Sequence, residues 1–208
     1  MHVDRDRWPL PAEAIVVAAA GATLAATAAH AVQGRLTPTE AALFEAVNGR
    51  GEAWLPVIWL PMQAGALGAV PAAVALAWYR QRDIGFSVCT AAAGLAAYLG
   101  AKLFKNSVRR GRPSGLHGTV SVRFGGTDVG NGYPSGHAAV TAALLAATWP
   151  RLTGTGRMAG TALAAVVGLG RIYVGAHLPS DVAGGWAMGI MLGLATRRAV
   201  EGAGTPSR

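Results

Sequence analysis

The chain has 208 residues, of which 52% are hydrophobic and only 13% charged. Ordinary soluble domains carry about 25% charged residues, so this composition excludes one and points to a membrane protein. The net charge of +8 does not mark a nucleic-acid binder, because the basic residues sit at the ends of apolar runs and in the polar clusters described below; anionic lipid is the expected partner. Cys89 is alone, which excludes a disulfide framework and a cysteine metal site, and the five histidines lack ligand spacing.

In chain order, apolar runs cover residues 14–32, 55–78, 84–103, 136–149, 158–173 and 182–195. Most are near the length needed to cross a bilayer, and their alanines and glycines suit close helix contacts. The expected fold is all-α: a six-transmembrane-helix bundle forming one integral membrane domain over 1–208, with flexible ends at about 1–12 and 199–208. Trp8, Trp54, Trp78, Tyr79 and Trp149 fall at span ends, where amphipathic rings anchor. The first run, preceded by Arg5 and Arg7, is read as a span because it is long for a signal peptide. Residues 37–47, with Pro38 leading and Ala42, Leu43, Phe44 and Val47 apolar, predict a short amphipathic helix on the membrane surface; the alternative is a plain loop. Pro56, Pro61 and Pro71 predict a kinked second span. Residues 114–133 are polar and Gly-rich and are expected to cap the site; their His117 and Arg123 are candidate head-group contacts, with solvated loop residues as the blander reading.

Three polar clusters punctuate the second half. The first is Lys105 followed by Arg112-Pro113, the second Pro134-Ser135-Gly136-His137, the third Arg171, His177 and Asp181. Together they suit phosphoryl transfer, in which charge develops on equatorial oxygens and catalysis is positioning plus cationic stabilisation. Arg112 and Arg171 offer planar forks and Lys105 a point charge. Ser135-Gly136 reads as a helix start, where free amides favour an anion, with Ser135 adding a hydroxyl. Asp181, four residues after His177, is positioned to fix that ring's tautomer, which makes His177 the candidate nucleophile. His137, beside the anion-binding turn, is the candidate acid and then base.

These clusters resemble the signature of the type-2 phosphatidic acid phosphatase superfamily, whose membrane branch hydrolyses lipid phosphates. The resemblance implies that Lys105, Arg112 and Arg171 bind phosphate with Ser135 and Gly136 assisting. It implies His137 as acid/base, His177 as nucleophile supported by Asp181, and neither metal nor cofactor. One departure is Gly170, where the family has serine; the lost hydrogen bond is worth about 1 kcal/mol.

Six spans put both termini on one side and the three clusters on the other. Lys and Arg number nine on each side, or nine against six without Lys105, Arg112 and Arg171. The positive-inside rule then places the termini in the cytoplasm of a bacterial cell and the site on the outer face of the inner (plasma) membrane. The fourth run, from Ser135 to Trp149, is roughly 22 Å long as a helix, against about 30 Å of hydrocarbon, so the site is expected near the outer head groups and open to lipid from the side. The function expected is metal-independent hydrolysis of a membrane lipid phosphate through a phosphohistidine. A lipid phosphotransferase using the same residues, and a non-enzymatic anionic-lipid binding protein, are the alternatives. Neither the lipid nor the oligomeric state is legible.

Overall fold

A computed structural model of the protein describes residues 10–203, and all regular structure among them is helical. Trp8, Arg5 and Arg7 lie outside the described residues. The helices are α1 (Leu10–Val32), α2 (Pro38–Asn48), α3 (Leu55–Met62), α4 (Ala69–Gln81), α5 (Ile84–Val108), α6 (Gly136–Thr148), α7 (Gly154–Tyr173) and α8 (Pro179–Ala203). Starts follow capping chemistry: the Thr37, Asp83, Ser135 and Thr153 side chains each accept an amide of the following turn. Every predicted run is helical, but α8 continues to Ala203, into the stretch read as a flexible end.

The second run is broken rather than merely kinked. A 3-10 turn at Gln63–Gly65 separates α3 from α4, and the two halves meet at 71°. Only α1 and α5 among the described helices are long and apolar enough to cross a membrane, or three segments if the bent pair counts as one. Six is therefore not reached by length and apolarity. α6 has 13 residues, while α7 carries Arg157 and Arg171, and α8 Asp181, Arg197, Arg198 and Glu201.

α6 and α8 form the centre of the bundle, while the first half of α7 is exposed. α6 is buried nearly all round and packs on α5, through Ala93, Ala97 and Ala101, and on α8. Along α8, Gly185, Gly189 and Gly193 face α6 at successive turns. A Cβ at each would stand 2.4, 2.2 and 2.5 Å from the carbonyl oxygens of Ser135, Ala139 and Ala143. Larger residues there would push the helices apart, the small-residue logic of membrane packing. This seam sets the site, because it locks the start of α6 beside the start of α8. α1 covers α8 from outside, with buried Glu13 paired to Arg197 at 3.1 Å and Arg198 at 2.9 Å.

α2 forms as the short helix expected at 37–47, and most of its surface is exposed. Its inward face is Glu40, Phe44 and Asn48, spaced one turn apart, whereas Leu43 is 55% exposed. Phe44 is the apolar contact expected there, whereas Glu40 and Asn48 are polar and apolar periodicity does not single them out. Trp54, Trp78 and Tyr79 do stand exposed at helix ends. Cys89 is buried and free.

Candidate active site

The three clusters converge where the starts of α6 and α8 meet the ends of α5 and α7. His177 lies in the short link between α7 and α8 and is 2% exposed. Burial, and then the nearby Lys105, Arg171 and Arg112, hold its ring well below the ordinary histidine range, so it is neutral at physiological pH. His137 also lies close enough to act on its charge. The Nε2 edge of His177 faces Arg112, whose Nη1 stands 3.1 Å away. The Nδ1 edge faces Asp181 Oδ2 at 3.6 Å, about half an ångström beyond a hydrogen bond. Asp181 is held by stronger partners: Oδ2 accepts from the Leu178 amide at 2.9 Å, and Oδ1 from Arg110 at 3.1 Å.

The two arginines are aimed by the loop between α5 and α6. Arg112 donates from Nη1 to Ala176 O at 2.6 Å and from Nε to Val129 O at 3.3 Å. Arg171 donates from Nη1 to Gly125 O at 2.7 Å, while its buried Nε has no acceptor. Such a donor is costly unless a ligand oxygen completes it. Lys105 sits at the end of α5, and its carbonyl accepts from Asn131 Nδ2 at 2.8 Å, which anchors the loop's other limb.

Ser135 caps α6. Its Oγ accepts weakly from the Ala138 amide at 3.5 Å, its amide donates to Asp181 O at 2.8 Å, and its hydroxyl hydrogen remains available. Gly136 is not demanded by packing, since a Cβ there would meet only Ala101 at 3.9 Å. The amides of Gly136 and His137 open the helix and have no acceptor within it. The Tyr133–Pro134 peptide before them is cis. His137 backs onto the broken α3–α4 segment: a Cβ on Gly65 would lie 2.6 Å from His137 O, so glycine admits that turn against the site.

His117 and Arg123 have other employment. His117 Nε2 meets Glu45 Oε1 at 2.8 Å, and its ring leans on Phe44. Arg123 donates to Glu52, Asn48 O, Arg50 O and Tyr173 O and stacks 4.3 Å from the Tyr173 ring. Both fasten the loop rather than project into the site. Asn48 does the same from α2, exchanging bonds with Ser121 at 2.9 Å in each direction.

Three features escaped sequence reading. Arg110 is buried behind Asp181, Glu40 reaches it from α2, and Ser180 joins them. Arg110 was hidden between Arg109 and Arg112, and nothing in the spacing of Glu40 connects it to a cluster 70 residues away. The Gly170 departure also has a structural reason. A Cβ there would meet Ile58 Cγ2 at 2.9 Å and Met62 Sδ at 3.3 Å, so α3 fills the place of a serine side chain. Met62 Sδ in turn accepts from Arg171 Nη1 at 3.6 Å.

A model of the PAP2 superfamily matches residues 84–204, which include every cluster residue. Lipid A 1-phosphatases of Rhizobium johnstonii and Rhizobium etli are each 38% identical over 102 residues, 46% of this chain. The match spans only 40% and 42% of their lengths, so the chain covers about two fifths of these relatives. Among solved structures, the transmembrane PAP2-type phosphatidylglycerolphosphate phosphatase of Bacillus subtilis superposes with a TM-score of 0.69 at 19% identity, covering 92% of this chain and 98% of that one. Aquifex aeolicus LpxE superposes with a TM-score of 0.62 at 18% identity, covering 75% and 93%.

Proposed function

The chain belongs to the PAP2 superfamily, and on that premise we propose that it is a metal-independent lipid phosphatase working through a phosphohistidine. The observation that carries the reading is a neutral, buried His177 ringed by Lys105, Arg112 and Arg171, with Nε2 toward Arg112. The three cations hold the phosphoryl oxygens and spread the charge of the transition state. Nε2 of His177 attacks phosphorus, the bond from phosphorus to the lipid oxygen breaks, and His137, entering the step as the imidazolium, gives that oxygen its proton and becomes neutral. His137 then takes a proton from water, whose oxygen attacks phosphorus. The P–N bond breaks, and inorganic phosphate and neutral His177 are restored. Asp181 faces Nδ1 and stabilises the positive charge that the ring carries while phosphorylated.

The membrane arrangement is part of the proposal. α1, the α3–α4 pair, α5, α6, α7 and α8 are taken as six spans, with α6 and α8 packed against each other and against α5. The termini are cytoplasmic and the site is on the extracytoplasmic side of the inner membrane. α6 is roughly 20 Å long against about 30 Å of hydrocarbon, which supports a site at head-group depth. In the loop around it, Phe124 is 70% and Val129 77% exposed, apolar surface suited to the bilayer boundary. The names of the Rhizobium relatives support a lipid-borne phosphate as substrate.

The test is phosphate release by purified protein in lipid nanodiscs, on lipid A, polyprenyl diphosphate, phosphatidylglycerophosphate, phosphatidate and water-soluble phosphate esters. Chelator is present throughout, with and without a polyol acceptor. Long-chain substrates should be cleaved at least about tenfold more efficiently than soluble ones, because lateral access keeps apolar chains out of water. Chelator should leave the rate unchanged. Strict dependence on an added divalent ion would overturn the scheme; equal rates on soluble esters would overturn lateral access. Phosphate appearing on the polyol instead of in solution would identify a phosphotransferase.

A further inference from the structure

Behind the site, on the face of Asp181 away from phosphate, lies a buried polar assembly with no part in the scheme above. Arg110 is 2% exposed and lies between two carboxylates. Its Nη1 donates to Asp181 Oδ1 at 3.1 Å and its Nη2 to Glu40 Oε2 at 2.8 Å. Glu40 Oε1 accepts from the Ser180 amide at 3.1 Å and from the Ser180 hydroxyl, while Oε2 also meets His30 Nε2 at 2.8 Å. One guanidinium therefore serves both carboxylates, and Glu40 grips the residue next to Asp181 in the first turn of α8.

We propose that Glu40 and Arg110 are positioning residues that set the orientation and charge of Asp181, so that α2 helps to tune the phosphoryl-transfer site from behind. The inference rests on the phosphatase reading above and on Asp181 supporting His177. Its physics is a competition for one cation. Asp181 is wholly buried, with His177, Arg112 and Lys105 on its phosphate side, Tyr133 from the preceding loop, and Arg110 with Glu40 behind. Arg110 holds Asp181 Oδ1 and so leaves Oδ2 turned toward the His177 ring; Glu40 claims part of the same guanidinium. Burial alone would raise Glu40, but its bonds from Arg110, Ser180 and His30 outweigh that and hold it at about 2. Glu40 is thus a fixed negative charge in any ordinary assay, and it is not the group that titrates.

The two partners must then act with opposite sign. Without Arg110, two buried carboxylates face each other unneutralised, and protonation of Asp181 is the cheapest relief. A protonated Asp181 no longer supports the His177 cation, so activity is lost at a higher pH as pH falls. Without the charge on Glu40, Arg110 belongs to Asp181 alone, and the same loss comes at a lower pH.

The experiment is the pH profile of kcat in full-length wild type, Arg110→Gln and Glu40→Gln, with KM and vanadate inhibition measured beside it. The acid limb should rise by about one pH unit or more in Arg110→Gln and fall in Glu40→Gln. KM and vanadate inhibition should stay within about twofold, since neither side chain touches phosphate. A general loosening of the fold cannot move the limb in opposite directions. If Arg110→Gln does not fold, Glu40→Gln decides alone: an unmoved or raised limb overturns the proposal. Unshifted limbs with uniformly lower rates in both variants overturn it as well. A wild type inactive on every lipid phosphate removes the phosphatase reading and this one together, whereas an active wild type with unmoved limbs removes only the positioning pair.

Discussion

His177→Ala should abolish turnover, with a loss on the order of 10⁴-fold or more on every lipid phosphate. The ring is the nucleophile of the proposed mechanism, and its Nε2 stands 3.1 Å from Arg112 Nη1. Water attacking directly would need a base on that face, and the nearest acidic group, Asp181, is turned toward the Nδ1 edge. The cations remain in the variant, so competitive binding of inorganic phosphate should persist while phosphate release disappears. Substrate binding with lost turnover separates chemistry from misfolding. A rate within tenfold of wild type would remove His177 from the reaction.

Arg171→Ala carries the second largest effect, a fall in kcat/KM of about 10²–10³-fold, the size seen when one transition-state donor is lost. Part of that loss is indirect. Arg171 Nη1 holds Gly125 O at 2.7 Å, so the variant also frees the loop that aims Arg112 through Val129 O. Arg171→Lys should recover little, because an ammonium cannot serve the loop carbonyl and a planar pair of phosphate oxygens at once. Arg123→Ala is the control: it unfastens the same loop from Glu52, Asn48, Arg50 and Tyr173 without removing a cation from the site. Kinetics combined with hydrogen exchange over residues 119–130 should show faster exchange in both variants, with the large kcat loss confined to Arg171→Ala. Equal losses in the two would mean that Arg171 acts only through the loop.

The three polar clusters stand out in the sequence because their spacings are local. His177 and Asp181 are one turn apart, Ser135 to His137 open a helix, and the backbone alone brings such residues together. The helices were legible from the apolar runs, although the run read from 158 misses the start of α7, which Thr153 caps. What escaped depends on contacts across the chain. Arg110 finds its partner on α2, and that helix turned inward a face with Glu40 and Asn48 because both had buried partners waiting. Arg123 and His117 looked available in a polar loop, yet α2 and the end of α7 supply acceptors that bind them. The exchange between Gly170 and Met62 joins α7 to α3, and no pattern within either helix reveals it. Hydropathy carries only part of the span count, because the glycine seam of α8 suits α6 rather than lipid.

The covalent step is the centre of the account, and the direct test is to catch it. Protein mixed with a lipid substrate radiolabelled on phosphorus, then quenched within one turnover, should carry label on His177 that is stable in base and released by acid. Wild type should show a brief burst of labelled protein. His137→Ala, which lacks the base that activates water, should accumulate more label when the substrate's leaving group needs no proton, and His177→Ala should show none. Turnover without labelled protein at any quench time, or label persisting in His177→Ala, would contradict the account.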